Sequence, residues 1–181
     1  MRNILTLICL FSTAVLAFAP AAYSDIAFFD DFDGGQFLGA GVSGSFSGPA
    51  AAEDVARAVA DTGYRGIYVD GNAISPERMR AVAKIVETNG AEVVDGAIIG
   101  HPAWKAGTTY LHLSGPRRAD VAACFSGSVL TTKTMSDEIG EASALKMCYA
   151  ALTKGTAALL CGILGTAEEL GVREALYQQW E

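Results

Sequence analysis

The chain has 181 residues, about half of them apolar, and a formal net charge of −7 from 13 basic and 20 acidic residues. This length supplies one domain with a hydrophobic core, and the composition is that of a globular protein. The acidic balance, with no basic cluster beyond Arg117 and Arg118, argues against a phosphate-backbone partner. We therefore expect no nucleic acid.

Residues 1–24 have the pattern of an export signal. Arg2 precedes an apolar run at 4–19, and AYS at 22–24 or APA at 19–21 offers the small-x-small pattern of a cleavage site. Two alternatives are an uncleaved membrane anchor, since residues 4–22 are just long enough to span a bilayer, and a replaced N-terminus.

The cysteines favour a reducing compartment such as the cytoplasm over export. Loss of Cys9 with a signal would leave Cys124, Cys148 and Cys161, which is an odd number. Cys148 and Cys161 lie on one predicted helix about 20 Å apart, too far for a disulfide. Buried free thiols, typical of a reducing compartment, are expected instead. The localisation stays open between export and the cytoplasm.

Residues 25–48 are rich in Gly, Ser and Asp and have no sustained period, which predicts an irregular loop. The run GAGVSG at 39–44 matches the dinucleotide-binding fingerprint. That motif functions only between a strand and a helix, and here no helix follows at once. We interpret it as a loop, with dinucleotide binding as the alternative.

From residue 49 the pattern alternates regularly. It predicts helices at 49–61 and 75–89 and strands at 65–70 and 91–95, with Ser75 as a helix cap and Gly90 as a left-handed stop. This alternation is typical of a parallel sheet with crossover helices. Because ligands of such sheets bind at the carboxyl ends of the strands, the loops after Asp70 and Asp95 are candidate site walls, although ordinary turns have the same composition.

The second half predicts a strand at 109–113, a short helix ending at Phe125, a last strand at 129–132 and one long helix at 137–170. That helix is apolar on several faces, which predicts burial, and its glycines permit close backbone approach. Its uninterrupted apolar run of about twelve residues is shorter than the roughly eighteen of a membrane span, so we expect that it does not cross a membrane. We expect a homo-oligomer formed through this helix.

Lys146 stands near the start of the long helix among Leu145, Met147 and Cys148. A buried ammonium is costly unless it is paired or loses its proton. Either the side chain reaches the surface along its own stem, or the chain keeps it for proton transfer.

Four motifs occur in a fixed order: DGNAISP at 70–76, VDGAIIG at 94–100, LSG at 113–115, and Gly140 followed by Ser143 and Lys146 at intervals of three. With these the chain, from about 50 to 180, resembles the β-hydroxyacid dehydrogenase superfamily, which includes 3-hydroxyisobutyrate and 6-phosphogluconate dehydrogenases. It looks closest to the branch with a divergent phosphogluconate-dehydrogenase-like C-terminal domain.

The resemblance implies an α/β fold with a partial Rossmann-type, NAD(P)-binding domain at 49–135 and the first long helix of a truncated all-α domain at 136–181. It implies an oxidoreductase that moves a hydride between NAD or NADP and a small hydroxy acid. No metal site is expected, because the two histidines have no ligand set around them in the sequence. The implied site residues are Lys146 as general acid/base; Ile99, Gly100, His101, Ser143 and Tyr149 for the substrate; and Asn72, Ala73 and Ser75 for the cofactor.

The chain departs from the family in three places. Ala142 stands where a second glycine is usual, Tyr149 replaces an asparagine, and residues 1–48 do not supply two strands and a phosphate loop. One alternative function is therefore a non-catalytic remnant acting as a helical dimerisation or binding module. Another, based on residues 1–24 alone, is a small exported binding protein.

Overall fold

The computed structural model describes residues 51–181 together with the strands at 26–29, 36–39 and 42–45. The predicted export signal at 1–24 lies outside these residues. In chain order the elements are β1 (Ile26–Phe29), β2 (Gln36–Gly39), β3 (Val42–Ser45), α1 (Ala51–Asp61), β4 (Ile67–Asp70), α2 (Pro76–Val86) with a 3-10 turn (Glu87–Asn89), β5 (Glu92–Gly100), β6 (Thr109–Ser114), α3 (Arg118–Cys124), β7 (Thr131–Thr134), α4 (Glu141–Glu169) and α5 (Arg173–Trp180).

Five strands form one sheet in the order β1-β4-β5-β6-β7. β1, β4 and β5 are parallel, β6 is antiparallel to β5, and β7 is parallel to β6. The predicted α/β fold with a Rossmann-type sheet and crossover helices is thus confirmed. The predicted sheet is parallel throughout, but β6 runs antiparallel to β5. Residues 101–108 are too few for the crossover connection between parallel strands, which takes a dozen or more residues.

The irregular loop predicted for residues 25–48 is wrong where strands occur. β1 is the edge strand beside β4, and β2 pairs with β3 in a separate antiparallel ribbon. The run GAGVSG extends from the end of β2 into β3, with Gly39 paired to Val42. A fingerprint in a strand hairpin does not have the strand-to-helix setting that phosphate binding requires.

The core lies on both faces of the sheet. Tyr68 and Val93 pack on one face with α1 and α2, while Val69 and Val94 pack on the other with α3. This alternation follows from the two-residue period of a strand. Because both faces of β4 and β5 are covered, these strands are continuous apolar runs in the sequence, and the prediction of strands there is confirmed.

The ends of α2 follow their sequence signals. The Ser75 hydroxyl accepts a hydrogen bond from the backbone N of Arg78 at 3.3 Å, and Pro76 occupies the first turn. Gly90 then adopts a left-handed φ of 86° after the 3-10 turn. Both boundary predictions are confirmed.

Two compact units are present, one ending at Lys146 and one beginning at Met147. The second comprises most of α4 and α5, with Gly171 at φ 68° in the turn between them. The domain boundary predicted after residue 135 precedes α4, whereas the division between the units falls within that helix.

The predicted burial of the long helix is wrong for the second unit. Leu152 and Leu159 are about two-thirds exposed, at 67% and 66%. Cys148 and Cys161, predicted to be buried thiols, are exposed, whereas Cys124 is buried as predicted. Burial raises the pKa of the Cys124 thiol to about 11.

The glycines of α4 also have open surroundings. A Cβ added at Gly155, Gly162 or Gly165 would meet no atom within 4 Å. The close backbone approach that these glycines predicted is therefore not made within the described part of the chain.

Among the described residues, α4 is the one helix long and apolar enough to cross a membrane, with a mean hydropathy of 1.5 over its best 18-residue window. The mean hydropathy over eighteen residues is high enough for a membrane span, whereas the uninterrupted apolar run used in the sequence prediction is too short. One helix with these properties is weak support for a membrane span, since length and composition alone define it.

Candidate functional site

Three buried polar residues form a row across the middle of the sheet. The strand register pairs Asp70 on β4 with Asp95 on β5, and Asp95 with Ser114 on β6. Each is at most 1% exposed. Asp70 ends its strand as predicted, but β5 continues for five residues beyond Asp95, so Asp95 lies inside the sheet and not in a loop.

The carboxylate of Asp95 binds the start of α4. Its Oδ2 accepts hydrogen bonds from the backbone N of Gly140 at 3.0 Å and of Ser143 at 2.9 Å. Its Oδ1 accepts from the Ser143 hydroxyl at 2.7 Å. Donors in the first turn of a helix have no partner within the helix, and here a strand side chain satisfies them.

Ser114 completes this arrangement. Its hydroxyl donates to Oδ2 of Asp95 at 3.2 Å and accepts from the backbone N of Ala142 at 3.1 Å. Burial raises the pKa of Asp95, although the hydrogen bonds from Ser143, Ser114 and Gly140 act in the opposite direction. A negative charge here would also interact favourably with the positive end of the helix dipole.

Gly140 allows α4 to start at this position. Its φ is 102°, and an added Cβ would lie 3.3 Å from both Cβ and the carbonyl oxygen of Pro76. A side chain would be strained by the backbone conformation and would press on the first turn of α2. The glycine is therefore required by the packing of two helix starts.

Lys146 makes a second contact between α4 and β5. Its Nζ donates a hydrogen bond to the carbonyl oxygen of Ile98, and the residue is half-buried. Ile98 lies three residues beyond Asp95 on β5. One strand therefore contacts the helix both at its first turn and at the lysine.

The cofactor residues implied by the resemblance lie in the loop after β4. Oδ1 of Asp70 accepts from the backbone N of Asn72 at 2.9 Å and from its Nδ2 at 2.8 Å, and Asn72 is buried. Ala73 and Ser75 are exposed, and the Ser75 hydroxyl caps α2. The Tyr68 hydroxyl donates to Asp70 at 3.4 Å, and burial together with this carboxylate raises the Tyr68 pKa well above its usual value.

Ile99, Gly100 and His101 end β5 and begin the following turn, so the predicted glycine-rich loop is partly strand. A Cβ at Gly100, whose φ is 135°, would overlap the carbonyl oxygen of Thr108. The His101 carbonyl accepts from the Thr109 hydroxyl, while the residue itself is exposed. The close hairpin pairing accounts for the glycine without a ligand.

The two residues assigned to the substrate on α4 have different surroundings. Ser143 is fully buried and its hydroxyl is bonded to Asp95. Tyr149 belongs to the second unit and is 45% exposed. The structure thus brings Ser143 and Lys146 to β5 within one unit. The binding roles of all these residues stay predictions.

Sequence reasoning missed the role of Asp95 and Ser114 as acceptors for α4. The available signal was Gly140, which precedes the helix and has no side chain to cap it. The described residues contain no group of His, Cys, Asp and Glu that could hold a metal ion.

No family model matches the sequence. The solved structure of the conserved protein MTH1747, of unknown function and described as structurally similar to 3-hydroxyacid dehydrogenases, is 34% identical, with a TM-score of 0.57. The match covers 74% of this chain and 50% of that one. The chain has a β-hydroxyacid dehydrogenase-like fold.

Two further solved structures show this fold. A conserved hypothetical protein from Sinorhizobium meliloti is 23% identical, with a TM-score of 0.60 over 88% of this chain and 49% of that one. An imine reductase from Myxococcus stipitatus, solved with NADP+, is 18% identical, with a TM-score of 0.54 over 76% and 57%.

The match to a curated relative covers a similar share of both chains. An uncharacterised 28.5 kDa protein in the 7S RNA 5′ region of Methanothermus fervidus is 29% identical over 130 residues, covering 72% of this chain and 49% of that protein. The chain spans about half the length of this relative and of MTH1747.

Proposed function

We propose that the chain carries part of an NAD(P)-dependent oxidoreductase of the β-hydroxyacid dehydrogenase type, acting on a small hydroxy acid. The observation that carries the proposal is the hydrogen bond from Lys146 to the carbonyl oxygen of Ile98. It holds a half-buried amine near the carboxyl end of β5, the side of a Rossmann-type sheet on which ligands bind.

The chemistry needs one proton acceptor. A bound nicotinamide would accept the hydride given up when the C–H bond of the substrate breaks, and the hydroxyl would lose its proton and become a carbonyl. The neutral amine of Lys146 would take that proton, and in the reverse direction the ammonium would return it. The Ile98 carbonyl directs the amine because it accepts one of its N–H groups.

The described residues fit a nicotinamide cofactor only in part. The loop after β4, with Asn72 ordered by Asp70, has the polar groups and the sheet position expected beside a nicotinamide ring. Among residues 51–181 and the three earlier strands, no glycine-rich turn joins a strand to a helix to cradle a pyrophosphate. Cofactor binding is therefore the first step to test.

The test is a fluorescence titration of the purified 181-residue chain with NADH and with NADPH. We expect saturable binding of at least one of them, which would also decide between the two cofactors. A signal that rises linearly without saturation for both would sink the proposal.

Lys146→Gln then tests the role of the amine, with Lys154→Gln as a matched control because Lys154 is exposed on the same helix. We expect Lys146→Gln to keep cofactor binding and to reduce turnover of a hydroxy-acid substrate by about 100-fold or more. Equal activities of the two variants would contradict a proton-transfer role.

The second candidate function is a helical dimerisation or binding module, and the exposed apolar residues of the second unit favour it. An open groove of about 580 Å³ lies along the end of α4, lined by apolar residues that include Leu159, Ile163 and Leu176. A second copy of the chain is the proposed occupant, because most soluble oligomers are homo-oligomers and large exposed apolar patches mark interaction surfaces. The oligomeric state in solution tests this, and a monomer at micromolar concentration would reject it.

A further inference from the structure

Backbone N–H groups at the start of α4 are bound by side chains from the sheet, while Glu141 in the first turn accepts a hydrogen bond from the backbone N of Ser136 at 3.0 Å. Asp95 on β5 and Ser114 on β6 together accept the backbone N–H groups of Gly140, Ala142 and Ser143. A helix is ordinarily capped by the residue that precedes its first turn, and Gly140 has no side chain for this purpose.

Lys146 follows Ser143 by three residues, which places it about 4.5 Å further along the helix axis and on the same face. Along β5, Ile98 lies about 10 Å beyond Asp95. The bonds to Asp95 fix the axial position and rotation of the first turn, and these two quantities determine where the lysine stem starts. The amine then reaches Ile98 from that starting point.

We propose that Asp95 and Ser114 are positioning residues for Lys146. By fixing the first turn of α4 against β5 and β6, they keep the amine at the Ile98 carbonyl. The inference rests on the proposed function for the chemistry that Lys146 performs, but the positioning itself is a property of the fold and can be measured without a substrate.

The experiment measures how fast each lysine amine of the full 181-residue chain is acetylated by trace amounts of acetic anhydride, with mass spectrometry of the peptides. Asp95→Asn replaces one acceptor oxygen by an amide donor that faces other donors, and Ser114→Ala removes only the hydroxyl. Ser128→Ala is the matched control, because that hydroxyl bonds only within its own turn, to Leu130.

We expect acetic anhydride to acetylate Lys146 about threefold or more faster in Asp95→Asn and Ser114→Ala than in the unmodified chain. The reason is that a first turn with unsatisfied donors opens more often. Lys84 and Lys154, which are exposed, should keep their rates in every variant. Ser128→Ala should leave all three rates unchanged.

An unchanged Lys146 rate in folded Asp95→Asn and Ser114→Ala would overturn the proposal, and so would an equal acceleration of all lysines, which indicates general loosening. If Asp95→Asn does not fold, Ser114→Ala alone decides. A faster Lys146 in a chain that binds neither NADH nor NADPH would support the positioning role while rejecting the proposed oxidoreductase.

Discussion

The two parts of α4 have opposite relations to their surroundings. In its first turn Ala142 and Ser143 are fully buried, and their backbone N–H groups are bound by Ser114 and Asp95. The part from Met147 onward is more apolar in sequence, yet Leu152 and Leu159 are mostly exposed. Apolar composition therefore does not predict which part of this helix the chain itself buries.

Different interactions are available to stabilise the two parts of α4. A fully buried leucine contributes about 1.5–3 kcal/mol to stability relative to an exposed one. Within the described part of the chain, Leu152 and Leu159 obtain little of this contribution because both are mostly exposed. The first part is stabilised by hydrogen bonds that pair the backbone N–H groups of Gly140, Ala142 and Ser143. The predictions below disturb one part at a time.

The largest effect is expected from removal of the Asp95 carboxylate. Asp95→Ala leaves two buried backbone N–H groups and two hydroxyls without their acceptor. We expect the free energy of unfolding to fall by about 3–5 kcal/mol, measured by urea denaturation. Asp120→Ala, at an exposed ion pair with Arg117, is the control and should change little. Equal losses in the two variants would contradict the buried role.

Gly140→Ala should cost about 1–3 kcal/mol, because the position has a positive φ and an added Cβ would press on Pro76. Gly165→Ala is the matched substitution in the exposed part of the helix, where a Cβ meets nothing within 4 Å. There we expect a gain of about 0.5–1 kcal/mol from higher helix propensity. Urea denaturation measures both, and a loss at Gly165 would show that another surface covers that part of α4.

The pH dependence of stability should carry a contribution from Asp95. Burial raises the pKa of this carboxyl in the folded protein, so its protonated form favours folding below the unfolded pKa of about 3.9, and that contribution is lost as the pH rises through the folded pKa. Asp95→Asn cannot titrate. Urea denaturation of both proteins from acidic to neutral pH should show the unmodified chain losing stability relative to the variant over this range. A constant difference would contradict the raised pKa.

The smallest effect on unfolding is expected at the exposed leucines. Leu159→Ser should change the free energy of unfolding of the monomeric chain by less than about 0.5 kcal/mol, because Leu159 is mostly exposed. If a second copy covers this surface, the same substitution lowers the mass observed by light scattering. An unchanged oligomer would place the contact elsewhere on the chain.

The sequence predicted the elements whose signals are local. Ser75 and Gly90 marked both ends of α2, and the short apolar runs marked β4 and β5. It did not predict that β5 continues through Gly100 or that β6 reverses direction, because strand pairing depends on residues elsewhere in the chain.

For the candidate site, the sequence order identified Ser143 and Lys146, and the structure brings both to β5. The bond between Asp95 and Ser143 joins residues 48 positions apart. No periodicity or spacing rule records such a contact, so the sequence predicts Asp95 only as the last residue of a strand beside a candidate site loop. The exposure of α4 was missed for a related reason, since the sequence pattern of an apolar helix does not say which chain covers it.

The antiparallel pairing of β5 with β6 has a consequence for the order of folding. Asp95 and Ser114 are only 19 residues apart and meet within one hairpin, whereas Gly140 and Ser143 reach Asp95 from 45 and 48 residues away. Contacts between residues close in the chain form faster, because less loop entropy is lost in closing them. We therefore expect Asp95 and Ser114 to come together before α4 packs on them, so that the helix start binds acceptors that are already in place.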